Sequence, residues 1–248
     1  MRPIVSPQEM ASNPTLVRQF ILQHTPLNHL YTKVFDESAL NHSVRQVLVN
    51  VAKSLAAFQQ TLISTRSRFD EFSYAIKAGD DATASSYPIS AQRGLKTFIG
   101  QGRWQLCHFG ADFSNGEFAD IGIPYFTATG IDAGRYRGIK QLGKSPFNRL
   151  GVFNDGQSER NALATSHVRL QHRNWGEFKV PSLRAVVKTA PYMHNGSLPS
   201  LRDVVRHYSE INEERLHTDG EKILRPLKLN ESEIKDLVIF WKVCKHWR

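Results

Sequence analysis

Trp104-Gln105-Leu106-Cys107-His108 is the stretch on which the interpretation of this chain depends. In the attachment motif of c-type haem, C-x-x-C-H, two cysteines bond to the haem and the histidine binds its iron. Cys107 and His108 match the second cysteine and the histidine, whereas Trp104 stands in place of the first cysteine. A Cys-His pair alone is a weak signal, because a buried cysteine beside an incidental histidine fits the same two letters.

The flanks of this stretch differ sharply from each other. Before it, the spacing of Leu95, Phe98 and Ile99 predicts a helix that opens at Ser90 and ends at Gly100. After it, residues 109–180 are rich in Gly, Asp, Asn and Arg and show no clear period. Such a long irregular stretch is unusual in a compact domain unless it is disordered or organised around something else, and a large cofactor is one such organiser.

The rest of the chain predicts helices and no clear strand. Asn13-Pro14 is a typical helix start, and Asn230 with Glu233 has the spacing of a capping box. Residues 38–63 carry apolar side chains at steps of three and four, and a helix beginning at Pro199-Ser200 places Tyr208 on its apolar face. The predicted fold class is therefore mostly α. The polar, turn-rich segment 79–88 marks the predicted domain boundary.

Composition limits the function classes. Among 248 residues, 40% are hydrophobic and 22% are charged, which is typical of soluble globular proteins, and no apolar run is long enough to span a membrane. The net charge of +9 comes from scattered residues and no nucleic-acid motif is recognisable, so nucleic-acid binding is not predicted. Two cysteines exclude a disulfide framework and a cysteine-rich zinc site, although a single Cys107–Cys244 bond stays open.

A set of motifs around Cys107-His108 resembles the C-terminal lobe of the bacterial di-haem cytochrome c peroxidase family, including its methylamine-utilisation branch. The resemblance runs from about residue 90 to the end, and the combination of motifs is specific. The motifs are Gln92-Arg93-Gly94-Leu95-Lys96-Thr97-Phe98, Phe109-Gly110-Ala111-Asp112-Phe113-Ser114, Phe118-Ala119-Asp120-Ile121-Gly122-Ile123-Pro124, Asp132-Ala133-Gly134-Arg135-Tyr136, Phe178-Lys179-Val180-Pro181-Ser182-Leu183-Arg184 and Thr189-Ala190-Pro191-Tyr192-Met193-His194-Asn195-Gly196-Ser197.

The resemblance implies a cytochrome c-like haem domain at 86–248 with long irregular loops, preceded at 1–85 by a helical remnant of the family's first lobe. Pro7-Gln8-Glu9-Met10 resembles the segment that carries the acid above the peroxidatic haem, so Glu9 is the expected acid/base residue. The family's first C-x-x-C-H site comes before this segment and is not in the sequence. The chain therefore resembles a family member truncated at its N-terminus.

The resemblance also implies a role for each candidate site residue. His108 is the expected proximal iron ligand, Cys107 the single thioether anchor of one haem c, and Tyr208 the distal iron ligand. Arg184 and His194 are expected to lie near the haem propionates as supporting residues; the alternatives are a surface ion pair for Arg184 and a turn histidine for His194. Thr189 and Pro191 are expected to offer calcium-binding backbone carbonyls. Ala185 departs from the family pattern, which has asparagine after Leu-Arg. The sequence leaves two roles open for Trp104: its indole blocks a vinyl group, or it packs on the porphyrin edge.

Three hypotheses for function follow from the resemblance. The first is hydrogen peroxide reduction with electrons from a small donor protein of the cytochrome c or cupredoxin type. The second is a non-catalytic single-haem module for electron transfer or haem binding, and the third is a degenerate remnant that binds no haem. The family is periplasmic and a homodimer stays open. No signal peptide is visible, which predicts the cytoplasm if the start is genuine and also fits a chain whose true beginning is missing.

Overall fold

A computed structural model describes residues 1–127, 130–156, 159–216, 218–219 and 223–244, and it confirms a mostly α fold. No helix within these ranges is long and apolar enough to cross a membrane. In chain order the helices are α1 (Arg2–Val5), α2 (Pro14–Gln23), α3 (Thr25–Phe35), α4 (Val44–Thr61), α5 (Arg68–Ala78), α6 (Asp81–Ser85), α7 (Ile89–Ile99), α8 (Arg135–Lys144), α9 (Glu159–Ser166), α10 (Leu201–Ser209) and α11 (Glu231–Val243).

Two short antiparallel ladders interrupt the helical fold, although the sequence predicts no strand. The strands are β1 (Phe118–Asp120), β2 (Phe126–Thr127), β3 (Gly130–Ile131) and β4 (Glu177–Lys179), and β1 pairs with β4 whereas β2 pairs with β3. Strands of two or three residues are too short to show an alternating pattern. The β1–β4 ladder joins the two ends of the stretch 109–180, which the sequence shows only as irregular.

Helix starts follow the predicted capping chemistry. Asn13 accepts a hydrogen bond from the backbone N–H of Leu16 at 3.0 Å, and Asn230 and Glu233 form the predicted capping box. The helix predicted at 38–63 begins later, at Val44, because the Ser43 hydroxyl caps it. The apolar spacing therefore locates these helices correctly, and the capping residue determines where each one starts.

The chain forms two compact units, residues 1–63 and 64–248. In the first unit, α2, α3 and α4 enclose a small core of Ile21, Tyr31, Ala39 and Val47. This division lies before α5, whereas the sequence predicts a boundary at residues 85 and 86. Segment 79–88 contains α6, which packs against α5 inside the second unit. The assignment of residues 64–85 to a first-lobe remnant stays a prediction.

The second unit is built on the crossing of α7 and α11. At Gly94 the helices approach so closely that a Cβ atom would lie 2.1 Å from the backbone oxygen of Asp236. Arg93, one residue earlier, pairs with the Asp236 carboxylate. A buried aromatic core that includes Phe98, Phe240 and Trp241 surrounds this crossing. After α7 the chain turns through a short 3-10 helix, Trp104–Leu106, which leads directly into Cys107 and His108.

Candidate functional site

A cavity of about 750 Å³ in the second unit collects most of the predicted site residues. Its volume lies within the range of ligand-binding pockets. Its wall includes all of the following predicted residues: Trp104, Cys107, His108, Thr189, Pro191, His194 and Tyr208. These residues lie up to 104 positions apart, from Trp104 to Tyr208, so the fold brings together what the sequence shows only as separate motifs.

The His108 imidazole is held in one orientation. Its Nδ1 atom lies 2.9 Å from the backbone oxygen of Phe113, and because a carbonyl only accepts hydrogen bonds, Nδ1 is the donor. In the neutral ring Nε2 then carries the lone pair. Burial lowers the pKa of His108 and outweighs the opposing effect of the Phe113 and Pro181 carbonyls, which favours the neutral ring. Metal-binding histidines typically show this arrangement.

Arg184 does not line the cavity, although the sequence predicts it beside a haem carboxylate. Its guanidinium forms two hydrogen bonds of 2.8 Å to the Asp70 carboxylate on α5 and a third, of 2.6 Å, to the backbone oxygen of Ala111. Ser182 and Ser114 add hydrogen bonds between segments 180–184 and 111–114. Arg184 thus anchors the loop whose Phe113 carbonyl orients His108, and it acts on the site through that loop.

The Arg184–Asp70 pair makes stability depend on pH. The pair is mostly buried, and the hydrogen bonds from Arg184 hold the pKa of Asp70 well below its usual range. A carboxyl group with a lowered folded-state pKa adds stability that is present above its unfolded pKa, near 4, and is lost as the pH falls below it. We expect Asp70→Asn to lower the free energy of unfolding at pH 7 by about 2–3 kcal/mol, because Arg184 loses its charged partner.

Urea unfolding of the cofactor-free chain between pH 3 and pH 7 measures this effect. The difference between wild type and Asp70→Asn should shrink toward pH 3. Glu71→Gln, an exposed change in the same helical turn, is the control and should leave the pH profile of wild type unchanged. A constant difference across the whole pH range would contradict the assignment.

Ala185 occupies a left-handed backbone conformation, with φ of 53°. Asparagine tolerates this region better than alanine does, which gives a physical reason for the family's asparagine at this position. We expect Ala185→Asn to raise the free energy of unfolding by about 0.5–1 kcal/mol, a fraction of the left-handed penalty. Urea unfolding checks this, with Ala185→Val as the opposite control because a β-branched side chain is strained there.

Trp104 is part of the buried core and part of the cavity wall. Its ring lies edge-on to Tyr208, with centroids 4.5 Å apart, and edge-on to Trp241 at 5.0 Å. The His108 ring is 6.2 Å away. The indole is therefore fixed by aromatic packing, and the cavity of about 750 Å³ remains open beside it.

Tyr208 takes the position that its helix face predicts. Leu201, Val204 and Tyr208 all lie on α10 and all line the cavity. Burial raises the pKa of Tyr208, so the phenol keeps its proton in the cofactor-free protein. A metal cation would be needed to stabilise the phenolate.

Three residues that line the cavity carry buried side-chain nitrogens with no hydrogen-bond partner among the described residues. These nitrogens are both ring nitrogens of His194 and the Nε1 atoms of Trp104 and Trp241. An unsatisfied buried polar group costs free energy. The described residues contain no group of three or more His, Cys, Asp or Glu side chains suited to a bare metal ion.

Neither Glu9 nor Cys244 is among the described residues that line this cavity. Glu9 is exposed and belongs to the first unit. Cys244 is buried at the end of α11, and neither cysteine is in a disulfide bond, so the disulfide that the sequence left open is not formed. The calcium role of Thr189 and Pro191 stays a prediction.

Three cavity residues were missed by the sequence reasoning. Trp241 was assigned only to the apolar stripe of the last helix, and that stripe does not show that the residue lines a cavity. Arg135 and Arg173 also line the wall. The Asp132-Ala133-Gly134-Arg135 motif could have drawn attention to Arg135, whereas no local pattern marks Arg173.

Comparisons with known proteins agree on one family. The family model described as di-haem cytochrome c peroxidase matches residues 1–78, and a model described as RoxA-like, cytochrome c-like matches residues 177–211. The second match contains His194 and Tyr208.

Curated relatives cover most of this chain. A cytochrome-c peroxidase IdrP1 from Denitromonas iodatirespirans is 34% identical over 75% of this chain and 47% of its own length. The methylamine utilization protein MauG from Methylophilus methylotrophus is 30% identical over 85% of this chain and 49% of its own length. The chain thus spans about half the length of the curated relatives it matches.

Solved structures share the fold over nearly the whole chain. A MauG-like protein associated with microbial copper homeostasis matches with a TM-score of 0.65 at 20% identity, covering 98% of this chain and 67% of that one. The diheme peroxidase BthA from Burkholderia thailandensis matches with a TM-score of 0.66 at 18% identity, covering 98% and 62%. With the family model and the curated relatives, these similarities show that the chain belongs to the di-haem cytochrome c peroxidase family, which includes the MauG proteins.

Proposed function

We propose that the second unit binds one haem c in the cavity and serves in electron transfer. The observation that carries this proposal is that Cys107, His108 and Tyr208 line one cavity of suitable size, although Tyr208 is 100 residues from His108 in the sequence. When bound, haem supplies one-electron redox chemistry; the protein supplies the axial ligands and the surroundings.

Each of the three residues has a distinct task. Cys107 provides the single thiol available for a thioether bond at this motif. His108 presents Nε2 as the proximal ligand because Nδ1 is committed to the Phe113 carbonyl. Tyr208 provides a phenol as the distal ligand, and a tyrosinate at that position favours ferric over ferrous iron.

Hydrogen peroxide reduction is the family activity, and it requires more groups than electron transfer does. It requires Glu9 as acid/base beside a second haem, whereas the sequence holds one Cys-His pair. A non-catalytic single-haem module requires only the three residues of the cavity. We therefore propose electron transfer for this chain by itself, and peroxide reduction when another polypeptide supplies the second haem lobe.

The proposed redox partner and the proposed compartment are also taken from the resemblance to the family. A small electron-donor protein, of the cytochrome c or cupredoxin type, is the proposed redox partner, and the periplasm is the proposed compartment because thioether attachment of haem takes place there. Calcium at the backbone carbonyls of Thr189 and Pro191 belongs to the same proposal. Calcium binds such oxygen ligands.

A haemin titration of the purified full chain tests the proposal. Saturable binding with a Soret band, at one haem per chain, supports it. The loaded chain is then mixed with a reduced small cytochrome and with hydrogen peroxide. Reduction of the haem without peroxide turnover supports the single-haem module, whereas turnover by the chain alone supports a peroxidase. A folded, soluble chain that takes up no haemin overturns both and leaves the degenerate remnant.

A further inference from the structure

A second hollow in the second unit, here called the basic cleft, has a volume of about 550 Å³. Its described lining consists of Arg135, Leu163, His167, Val168, Arg169, Gln171, Arg173 and Asn174. Arg135 and Arg173 also line the main cavity, whereas His167 and Arg169 are not among the described residues of that cavity. The described lining of the basic cleft thus holds three arginines and one histidine and contains no acidic side chain.

The sequence around the basic cleft separates acidic from basic residues. Residues 109–132 contain four Asp or Glu and no Lys or Arg, whereas residues 133–176 contain eight Lys or Arg and two Asp or Glu. The second segment therefore carries a net charge of +6 in a chain whose net charge is +9. All the described residues that line the basic cleft come from this segment. Such a concentration of positive charge attracts anions before any contact is made.

Hydrogen bonds hold two of the arginines of the basic cleft in place. Arg173 lies in the short 3-10 helix that ends at Asn174, and its Nε donates to the side-chain oxygen of Gln171 at 2.7 Å. The Asn174 side chain accepts from the backbone N–H of Gln171 at 2.8 Å and donates to Glu177 at 2.9 Å. Glu177 also accepts from Arg135 at 3.1 Å. Because this chain of bonds orders both arginines in advance, a ligand loses less of its binding free energy to side-chain ordering.

The positive charge of the basic cleft is only partly compensated. Arg135 has a carboxylate partner in Glu177, whereas Arg169 and Arg173 form no ion pair with any described residue. The one side-chain hydrogen bond of Arg173 within the described chain goes to the neutral side chain of Gln171 and uses Nε. Its two terminal NH₂ groups therefore stay available to an acceptor. An anion between these arginines would offset their mutual repulsion.

The chemistry of the lining favours phosphate groups. A planar guanidinium donates two parallel hydrogen bonds to one phosphate group, and the basic cleft offers two guanidinium groups without a carboxylate partner. The cleft volume of about 550 Å³ is typical of pockets for small organic molecules, so it accommodates more than one phosphate group. Leu163 and Val168 add an apolar contact for an organic part of the ligand.

We propose that the basic cleft binds a small di- or triphosphate anion, with Arg169 and Arg173 as its main donors. Arg135, which Glu177 holds, is a positioning residue. This site goes beyond the proposed haem-binding function and does not rest on it, since Arg169 is not among the described residues of the main cavity. A bound anion would nevertheless lie beside that cavity, because the two hollows share Arg135 and Arg173.

Calorimetric titration of the cofactor-free full chain with sodium tripolyphosphate tests the proposal. At about 0.15 M salt the Debye length is about 8 Å, so attraction between distant exposed charges is largely screened. We expect saturable binding of one tripolyphosphate per chain. Inorganic phosphate should bind about tenfold or more weakly, because one phosphate group engages fewer guanidinium groups. Vesicles containing phosphatidic acid, in a sedimentation assay, test a lipid headgroup as the source of the phosphate.

Matched variants locate the binding. Arg169→Gln and Arg173→Gln should each weaken tripolyphosphate binding about tenfold, the effect of losing one charge-assisted interaction. Lys144→Gln removes one positive charge from the same basic segment, at the exposed end of α8 and outside the described lining, and should leave the affinity nearly unchanged. Arg169→Gln should bind haemin as the wild type does. Circular dichroism shows whether every variant is folded.

The outcomes separate this site from general charge attraction and from the haem-binding function. A wild-type chain without saturable tripolyphosphate binding overturns the proposal. Equal losses in Arg169→Gln, Arg173→Gln and Lys144→Gln overturn it too, because the binding would then depend on net charge alone. Binding to the vesicles without binding to tripolyphosphate overturns the free anion as the ligand. A chain that binds tripolyphosphate at Arg169 but takes up no haemin keeps this proposal, whereas the haem-binding function fails.

Discussion

Replacing His108 with glycine is expected to lower the affinity of the chain for haemin by about 100-fold or more, since second-shell partners alone are worth about 10–100-fold at metal sites. The structural reason is the hydrogen bond from Nδ1 to the Phe113 carbonyl, which orients the ring and leaves Nε2 for the iron. The measurement is a haemin titration followed at the Soret band.

Adding free imidazole tests whether the lost haemin affinity of His108→Gly comes from the missing iron ligand. The deletion leaves space for a free imidazole, so millimolar imidazole should recover part of the haemin affinity of His108→Gly. It should have little effect on wild type. His29→Gly serves as the control, because His29 is exposed on α3 in the first unit. Unchanged haemin affinity in His108→Gly would remove His108 from the site.

Replacing Trp104 with cysteine is expected to have two large and opposite effects. It completes the C-x-x-C-H motif with Cys107 and His108, so a host with c-type maturation machinery should attach haem through two thioether bonds instead of one. It also removes a buried indole that packs on Tyr208 and Trp241. Loss of such a side chain costs about 3–5 kcal/mol of unfolding free energy.

Trp104→Ser separates the two effects. Serine leaves nearly the same space as cysteine but has no thiol, so both variants should show similar losses of stability in the cofactor-free state. Only Trp104→Cys should shift the pyridine haemochrome band to that of ordinary c-type haem. If Trp104→Cys and Trp104→Ser gave the same haemochrome band, the position would not be the first cysteine of the motif.

The sequence predicted the parts of the fold that local chemistry controls. Apolar spacing and capping residues located the long helices, as at Asn13 and Asn230. The two ladders were not predictable, because strands of two or three residues show no period. The turn-rich segment 79–88 was predicted as a domain boundary, and no local pattern reveals that its α6 packs against α5.

For the candidate site too, a single sequence shows local motifs but not the contacts between distant residues. Resemblance identified Cys107, His108, Tyr208 and His194, and all four line the cavity. Arg184 was predicted near the haem propionates, with a surface ion pair as the alternative; it pairs with Asp70, which lies 114 positions away, and a pairing over that distance leaves no trace in a single sequence. Contacts between residues that are far apart in the sequence therefore decide which residues line the cavity and which residues hold them in place.

The central claim is that this chain holds one haem through Cys107 and His108. The most direct measurement is a denaturing haem stain together with a pyridine haemochrome spectrum, on full chain exported into a host with c-type maturation machinery. The account predicts haem that stays attached under denaturing conditions, with a haemochrome band between those of ordinary b-type and c-type haem. It also predicts that Cys107→Ser loses the stain. A folded chain that carries no haem at all would contradict the account.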